Sequence, residues 1–263
     1  MRFDRNNHRI IDLNLPIENQ AVDAWPPKFT RWNHHEGARM HGRSLGIEPA
    51  LFPDGMSQAW EEITLITHNG THLDAPWHFY PTSEGKPSKT IDQVSLEWCI
   101  GDGVVLNLTH KKPGDLITED DVKEAVKKIN YKIKPYDIVL IQTDSDKKYG
   151  TVSYLEEFPG MGRESTLYLL DQGVKIIGID AFGYDRPFKK MVEDFKKGVP
   201  NALWPSHNLG KEREYCHIER LANLDKIPTP HGFTVMVLPI LIEGASAGWI
   251  RAVAVVEEKH FKK

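Results

Sequence analysis

Cysteine is nearly absent: the 263-residue chain has two, Cys99 and Cys216, far apart and in no Cys-x-x-Cys pattern. The two could form one bridge, but in a chain without a secretion signal the pair reads as free buried thiols. Long apolar runs are missing too. The longest, around Val235 to Ile242, is too short to span a bilayer and contains Pro239. The opening Met1-Arg2-Phe3-Asp4-Arg5 has no apolar core, so no signal peptide is expected and the protein reads as cytoplasmic. There is no basic excess either: 33 Lys and Arg stand against 37 Asp and Glu, a net charge of −4, which excludes a nucleic-acid footprint. No repeat, low-complexity tract or interdomain linker is visible. What remains is an ordinary globular composition, 40% hydrophobic and 27% charged, in a chain long enough to bury a sizeable core.

Histidine is concentrated instead. Residues 67–78 read Thr-His-Asn-Gly-Thr-His-Leu-Asp-Ala-Pro-Trp-His, so three of twelve histidines and one aspartate fall between His68 and His78. The run before it, residues 62–67, is rich in β-branched side chains and reads as a strand. Gly70 and Pro76 argue against a helix here. In extended backbone His72 and Asp74 share a face, because side chains alternate with period two. Imidazole and carboxylate are the donors that zinc, manganese or iron take. A chance cluster in a polar loop is the competing reading, but the density and the Gly and Pro punctuation favour a metal site.

The periodicity elsewhere predicts mixed α/β structure in one domain over residues 1–263. Strands are expected at 9–15, 103–108, 137–142, 174–180, 232–242 and 249–256, the last two joined by the small-residue turn 244–248. Helices are expected at about 118–129, with Thr118 as N-cap, and at 163–172 and 188–197. Residues 17–54 show little periodicity but much aromatic content, including Trp25, Phe29 and Trp32, and read as one long loop over a pocket. His34 and His35 lie in it and are read as solvated. The stretch 181–187 follows a buried strand, where α/β sheets place ligand contacts, and Arg186 there could hold a carboxylate or form a structural ion pair.

A metal held by one segment gains ligands from elsewhere in the fold. His110, His207, His217, Glu219 and His231 are the candidates beyond residue 100. Glu219 reads equally as a surface charge paired with Arg220 or Lys211.

The pattern His68-x-Gly70-Thr71-His72-x-Asp74-x-Pro76-x-His78 resembles the signature of the metal-dependent cyclase family, which includes bacterial kynurenine formamidases and isatin hydrolases. His207, Glu219 twelve positions on, and Leu221-Ala222-Asn223-Leu224-Asp225 are similar to the family's distal segment, so the resemblance covers about residues 9–256. It implies a swivelling β/β/α cyclase-type fold in a homodimer or homotetramer. It further implies one or two zinc or manganese ions held by His68, His72, Asp74, His207 and Glu219, with Asp74 bridging, and His78 as the proton-transferring histidine. The implied activity is hydrolysis of a formamide or cyclic amide in a small-molecule substrate; a cyclase or lyase acting on a carbon acid or lactone is the alternative. The chain departs from the formamidase pattern at Trp25-Pro26-Pro27, where an aromatic substrate contact is expected, so Trp25 is a substrate-binding candidate and the substrate is left open.

Overall fold

The computed structural model describes residues 4–18, 22, 23 and 25–261. Its contacts divide into two compact units, one made of residues 1–17 and 67–263, the other of residues 18–66. No helix among the described residues is long and apolar enough to cross a membrane.

The larger unit is built on a nine-stranded sheet of β1 (His8–Asp12), β2 (His72–Asp74), β3 (Ile100–Asn107), β4 (Ile138–Gln142), β5 (Ile176–Ile179), β6 (Cys216–Glu219), β7 (His231–Met236), β8 (Ala247–Trp249) and β9 (Val253–Glu257). The spatial order is β1-β9-β7-β3-β4-β5-β6-β2-β8. The centre, β3 to β6, is parallel, and both flanks are antiparallel. This is the mixed α/β architecture that the sequence pattern predicts.

Strand β4 is buried along its whole length because both of its faces are covered. Val139, Ile141, Ile177 and Ile179 pack with Val122, Ala125 and Val126 of the helix Glu119–Lys128 and Leu169 of the helix Arg163–Asp171. Ile138, Leu140 and Ile176 point the other way, into a second core with Leu73, Ile218, Val235 and Ala254. The period-two alternation of one strand therefore feeds two cores.

One expected strand, residues 249–256, is in fact two. Strand β8 ends at Trp249 beside β2, and β9 starts at Val253 between β1 and β7. The short connection can reach only about 14 Å, whereas seven strand spacings in a flat sheet would need about 33 Å. The sheet must curl to bring its ends together, and the second core fills the curl.

In the smaller unit the stretch expected as one long loop at 17–54 is largely regular. Lys28–Trp32 pairs antiparallel with Trp60–Thr64, and a helix spans His34–Leu45. Asn33 and Glu36 form a capping box at its start, and Gly46 closes it at φ +67°. Its buried residues are Gly37, Ala38 and Gly42, too small to give an apolar period. Gly37 is required by contact, since a Cβ there would lie 2.0 Å from the Gln58 carbonyl oxygen.

Candidate metal centre

Strands β2 and β6 pair antiparallel, with His217 opposite Asp74 and Glu219 opposite His72. Directly opposed residues share a face, so these four side chains form a two-by-two plate. Leu73 and Ile218, the alternating residues, go into the core behind it. Strand β8 flanks the plate and sets Ala247 beside Asp74.

The remaining groups come from turns and short helices. Gly70 sits at φ +62°, in the left-handed region that glycine tolerates, and its carbonyl accepts a hydrogen bond from His72 Nδ1 at 2.9 Å. A carbonyl can only accept, so His72 carries its proton on Nδ1 and presents the Nε2 lone pair to Asp74 Oδ1 at 3.3 Å and Glu219 Oε2 at 3.8 Å. His68 places Nδ1 2.8 Å from Asp74 Oδ1, and its Nε2 meets Ser246 Oγ at 3.1 Å. His78, on the short helix Pro76–Phe79, lies with its ring centroid 4.1 Å from His68 and 5.4 Å from His207.

His207 is carried by the helix Pro205–Leu209, with proline in its first turn. The buried Asp185 carboxylate accepts from the Ser206 and His207 backbone N–H groups at 2.9 and 3.2 Å and from His207 Nδ1 at 2.5 Å. That leaves His207 Nε2 facing Glu219 Oε1 at 4.0 Å. Glu219 Oε1 also accepts from the Tyr184 backbone N–H at 2.8 Å. The 181–187 loop thus supplies two supports of the cluster.

The electrostatics point to a cation. Both Asp74 oxygens, His72 Nε2 and both His217 nitrogens are buried without a hydrogen bond. His68 and His217 approach Asp74 at 2.8 Å, but without hydrogen-bond geometry. Buried polar atoms left this way cost about 1–3 kcal/mol each, and the four that face one another, the Asp74 oxygens, His72 Nε2 and His217 Nε2, call for a cation between them. In a tetrahedral site with metal–ligand bonds of about 2.0–2.1 Å, donors stand roughly 3.3 Å apart. The donor separations here, between 2.8 Å for His217–Asp74 and 4.0 Å for His207–Glu219, straddle that value. The residues present therefore fit a divalent ion.

The donors fall into two sets, each with ligand atoms within 4.8 Å of one another. One is Asp74, His207, His217 and Glu219; the other is His68, Asp74 and His78. Asp74 belongs to both, with Oδ1 toward His68 and His72 and Oδ2 toward His217. Although burial acts in the opposite direction, His78, His72, His217 and His68 hold the Asp74 carboxyl well below the ordinary range. Burial, reinforced by His68, His207 and His217, pushes His78 down to about 4 against the pull of Asp74. Burial also opposes protonation of His207, but the Asp185 carboxylate overrides it and raises His207 to about 9, and a cation at Nε2 would take the place of that second proton. A third grouping, Asp144, Asp146 and Asp180, differs in kind, because Asp180 already accepts from the Thr143 and Asp144 backbone N–H groups.

His68, His72, Asp74, His78, His207 and Glu219 thus converge in one cluster. Of the other candidates beyond residue 100, the structure brings His217 into the cluster, while His110 stands beside Asp121 and His231 stacks on Tyr131. Arg186 pairs with Asp194 at 2.8 Å with only 12% of its side chain exposed, so its charge is neutralised within the fold. Trp25 belongs to the smaller unit, where it is 68% exposed.

Comparison with known proteins agrees with this chemistry. Residues 11–186 match the Cyclase family model, described as "Putative cyclase". The isatin hydrolase of Roseibium aggregatum is 29% identical over 77% of this chain and 77% of its own. The kynurenine formamidase of Geobacillus thermodenitrificans is 27% identical over 92% of this chain and 95% of its own. Among solved structures, an isatin hydrolase bound to the product analogue thioisatinate superposes with a TM-score of 0.76 at 22% identity, covering 96% of this chain and 94% of that one. The chain belongs to the cyclase family and is a hydrolase of carbon–nitrogen amide bonds.

Proposed function

We propose that the protein hydrolyses a formamide or a cyclic amide of a small molecule, the substrate classes of the isatin hydrolase and kynurenine formamidases it resembles. His68, His72, Asp74, His207 and Glu219, with His217, would hold one or two zinc or manganese ions, and His78 would move protons. The observation that carries this reading is Asp74, a fully buried carboxylate whose two oxygens face separate groups of imidazoles.

A divalent ion bound here supplies Lewis acidity, making water a better nucleophile near neutral pH and an amide carbonyl a better electrophile. The chain's own residues do the rest. The Gly70 carbonyl and the Asp185 carboxylate fix the tautomers of His72 and His207, so that each offers Nε2 to the centre. Burial keeps His78 neutral near pH 7, the form that accepts a proton from attacking water. The same imidazole then returns the proton to the departing nitrogen, which as an amide anion would be a poor leaving group.

Two buried free thiols suit a reducing compartment and support a cytoplasmic location. Exposed apolar side chains such as Leu51 and Leu241 offer surface for a homodimer or homotetramer. Light scattering on the purified protein reads the assembly directly.

The test is a panel of isatin, N-formylkynurenine, simple formamides and lactones run with metal-loaded protein in ¹⁸O-water. Hydrolysis places one labelled oxygen in the product acid. Turnover without label would support the cyclase or lyase alternative, and no turnover on any amide would refute the assignment. His78→Ala is expected to lose at least about a hundredfold in kcat while keeping its ions; loss of the ions instead would make His78 a ligand.

A further inference from the structure

The two donor sets that meet at Asp74 are not equivalent. The His217 side contains four protein ligands, Asp74, His207, His217 and Glu219, two of them carboxylates. The His68 side shares the Asp74 carboxylate and otherwise offers only imidazoles. A set of four protein ligands is the mark of a closed site, whereas three leave a position open for water or substrate. Charge sharpens the difference, because Glu219 adds a second carboxylate to the His217 side beyond the Asp74 that both sides share.

The surroundings point the same way. His217 is fully buried, and its ring lies between aromatic neighbours. Tyr184 stacks on it at 4.3 Å between centroids with 12° between planes, and Phe79 lies at 4.7 Å. Its Nε2 stands 2.8 Å from Asp74 Oδ2 and 3.6 Å from Glu219 Oε1. His68, on the other side, is 23% exposed. The His217 side is the more enclosed of the two, with His207 and Glu219 each 14% exposed against 23% for His68.

We propose that His217 is a metal ligand that closes a second, tightly held ion site with Asp74, His207 and Glu219, leaving the His68–His72–Asp74 side as the open, exchangeable position at which substrate meets the centre. This rests on reading the cluster as a metal centre. It assigns the two ions different tasks: the one with four protein ligands fixes Asp74 and Glu219 in place, and the one beside His68 is the site of exchange.

The experiment is metal analysis of the protein after dialysis against a graded series of competing chelator, for the wild type and for His217→Ala and His217→Gln. Cobalt substitution provides an independent readout, since a closed four-ligand site gives the intense visible bands of tetrahedral cobalt. The wild type is expected to hold two ions that leave in separate steps. Both His217 variants should lose the late-leaving ion and the intense cobalt bands while keeping the early-leaving one. Should one variant fail to fold, the near-isosteric glutamine decides the matter, with circular dichroism to verify its structure. If His217→Gln keeps two ions with wild-type chelator resistance, the inference is overturned while the metal centre stands. If the wild type binds no ion even after reconstitution, the metal centre itself falls, and the inference with it.

Discussion

Replacing Asp74 by asparagine tests the architecture of the centre at its hinge. The substitution is nearly isosteric, so Leu73 and Ala75, both fully buried, need not move. What changes is charge and donor count. Oδ1 faces His68 and His72, and Oδ2 faces His217, so one atom swap removes an anionic donor from each set. A four-ligand zinc site is worth about 10–16 kcal/mol in favourable cases, or roughly 2.5–4 kcal/mol per ligand. The neutral amide oxygen retains part of that, so a loss of about 2–3 kcal/mol at each site is expected, some 30- to 150-fold in affinity. Competition against a calibrated chelator measures it, and elemental analysis after dialysis should find both ions depleted. Loss of only one ion would mean that Asp74 serves one site. Retention of both at wild-type affinity would refute the bridging role altogether.

Two further outcomes follow from the geometry. Asp185→Asn keeps the shape of the carboxylate but weakens its charge-assisted hold on His207 Nδ1, so one of two ions should bind about 10- to 100-fold more weakly; equal weakening of both would show a general collapse instead. On the helix Glu119–Lys128, Asp121 accepts from the Thr118 backbone N–H and Lys111 Nζ, each at 2.8 Å. Its partial burial acts upward, but Lys111 and Thr118 lower the carboxyl below its ordinary 3.8. A depressed carboxyl stabilises the fold above the unfolded-state value and ceases to do so as pH falls through the folded-state value. Screened by solvent, Asp121→Asn should therefore cost about 0.5 kcal/mol at pH 7 and progressively less below pH 4, read from urea unfolding at each pH; a constant cost would refute the electrostatic account.

Much of this was legible because it is local. The donors from His68 to His78 lie in one short stretch, and period two alone places His72 and Asp74 on one face. The N-cap at Thr118 and the buried runs of β4 and β5 announce themselves for the same reason. His217 stood out only as one candidate histidine among several, because its meaning depends on register. Only when β6 pairs with β2, some 140 residues earlier in the chain, does it stand opposite Asp74. The helix His34–Leu45 stayed hidden because its buried residues are glycine and alanine, packed by close backbone approach rather than by apolar bulk. Its capping box and Gly46 were the available signals. The split between β8 and β9 was invisible because both halves are apolar and the break between them is set by closure of the sheet.

The most direct test of the central claim is amide hydrolysis by one protein sample assayed as purified, after chelation, and after stepwise return of zinc or manganese. The account predicts that turnover disappears with the ions and returns with them, with structure by circular dichroism unchanged throughout. Amide hydrolysis that persists in fully stripped protein would contradict it, and the buried imidazoles and carboxylates around Asp74 would then need another partner.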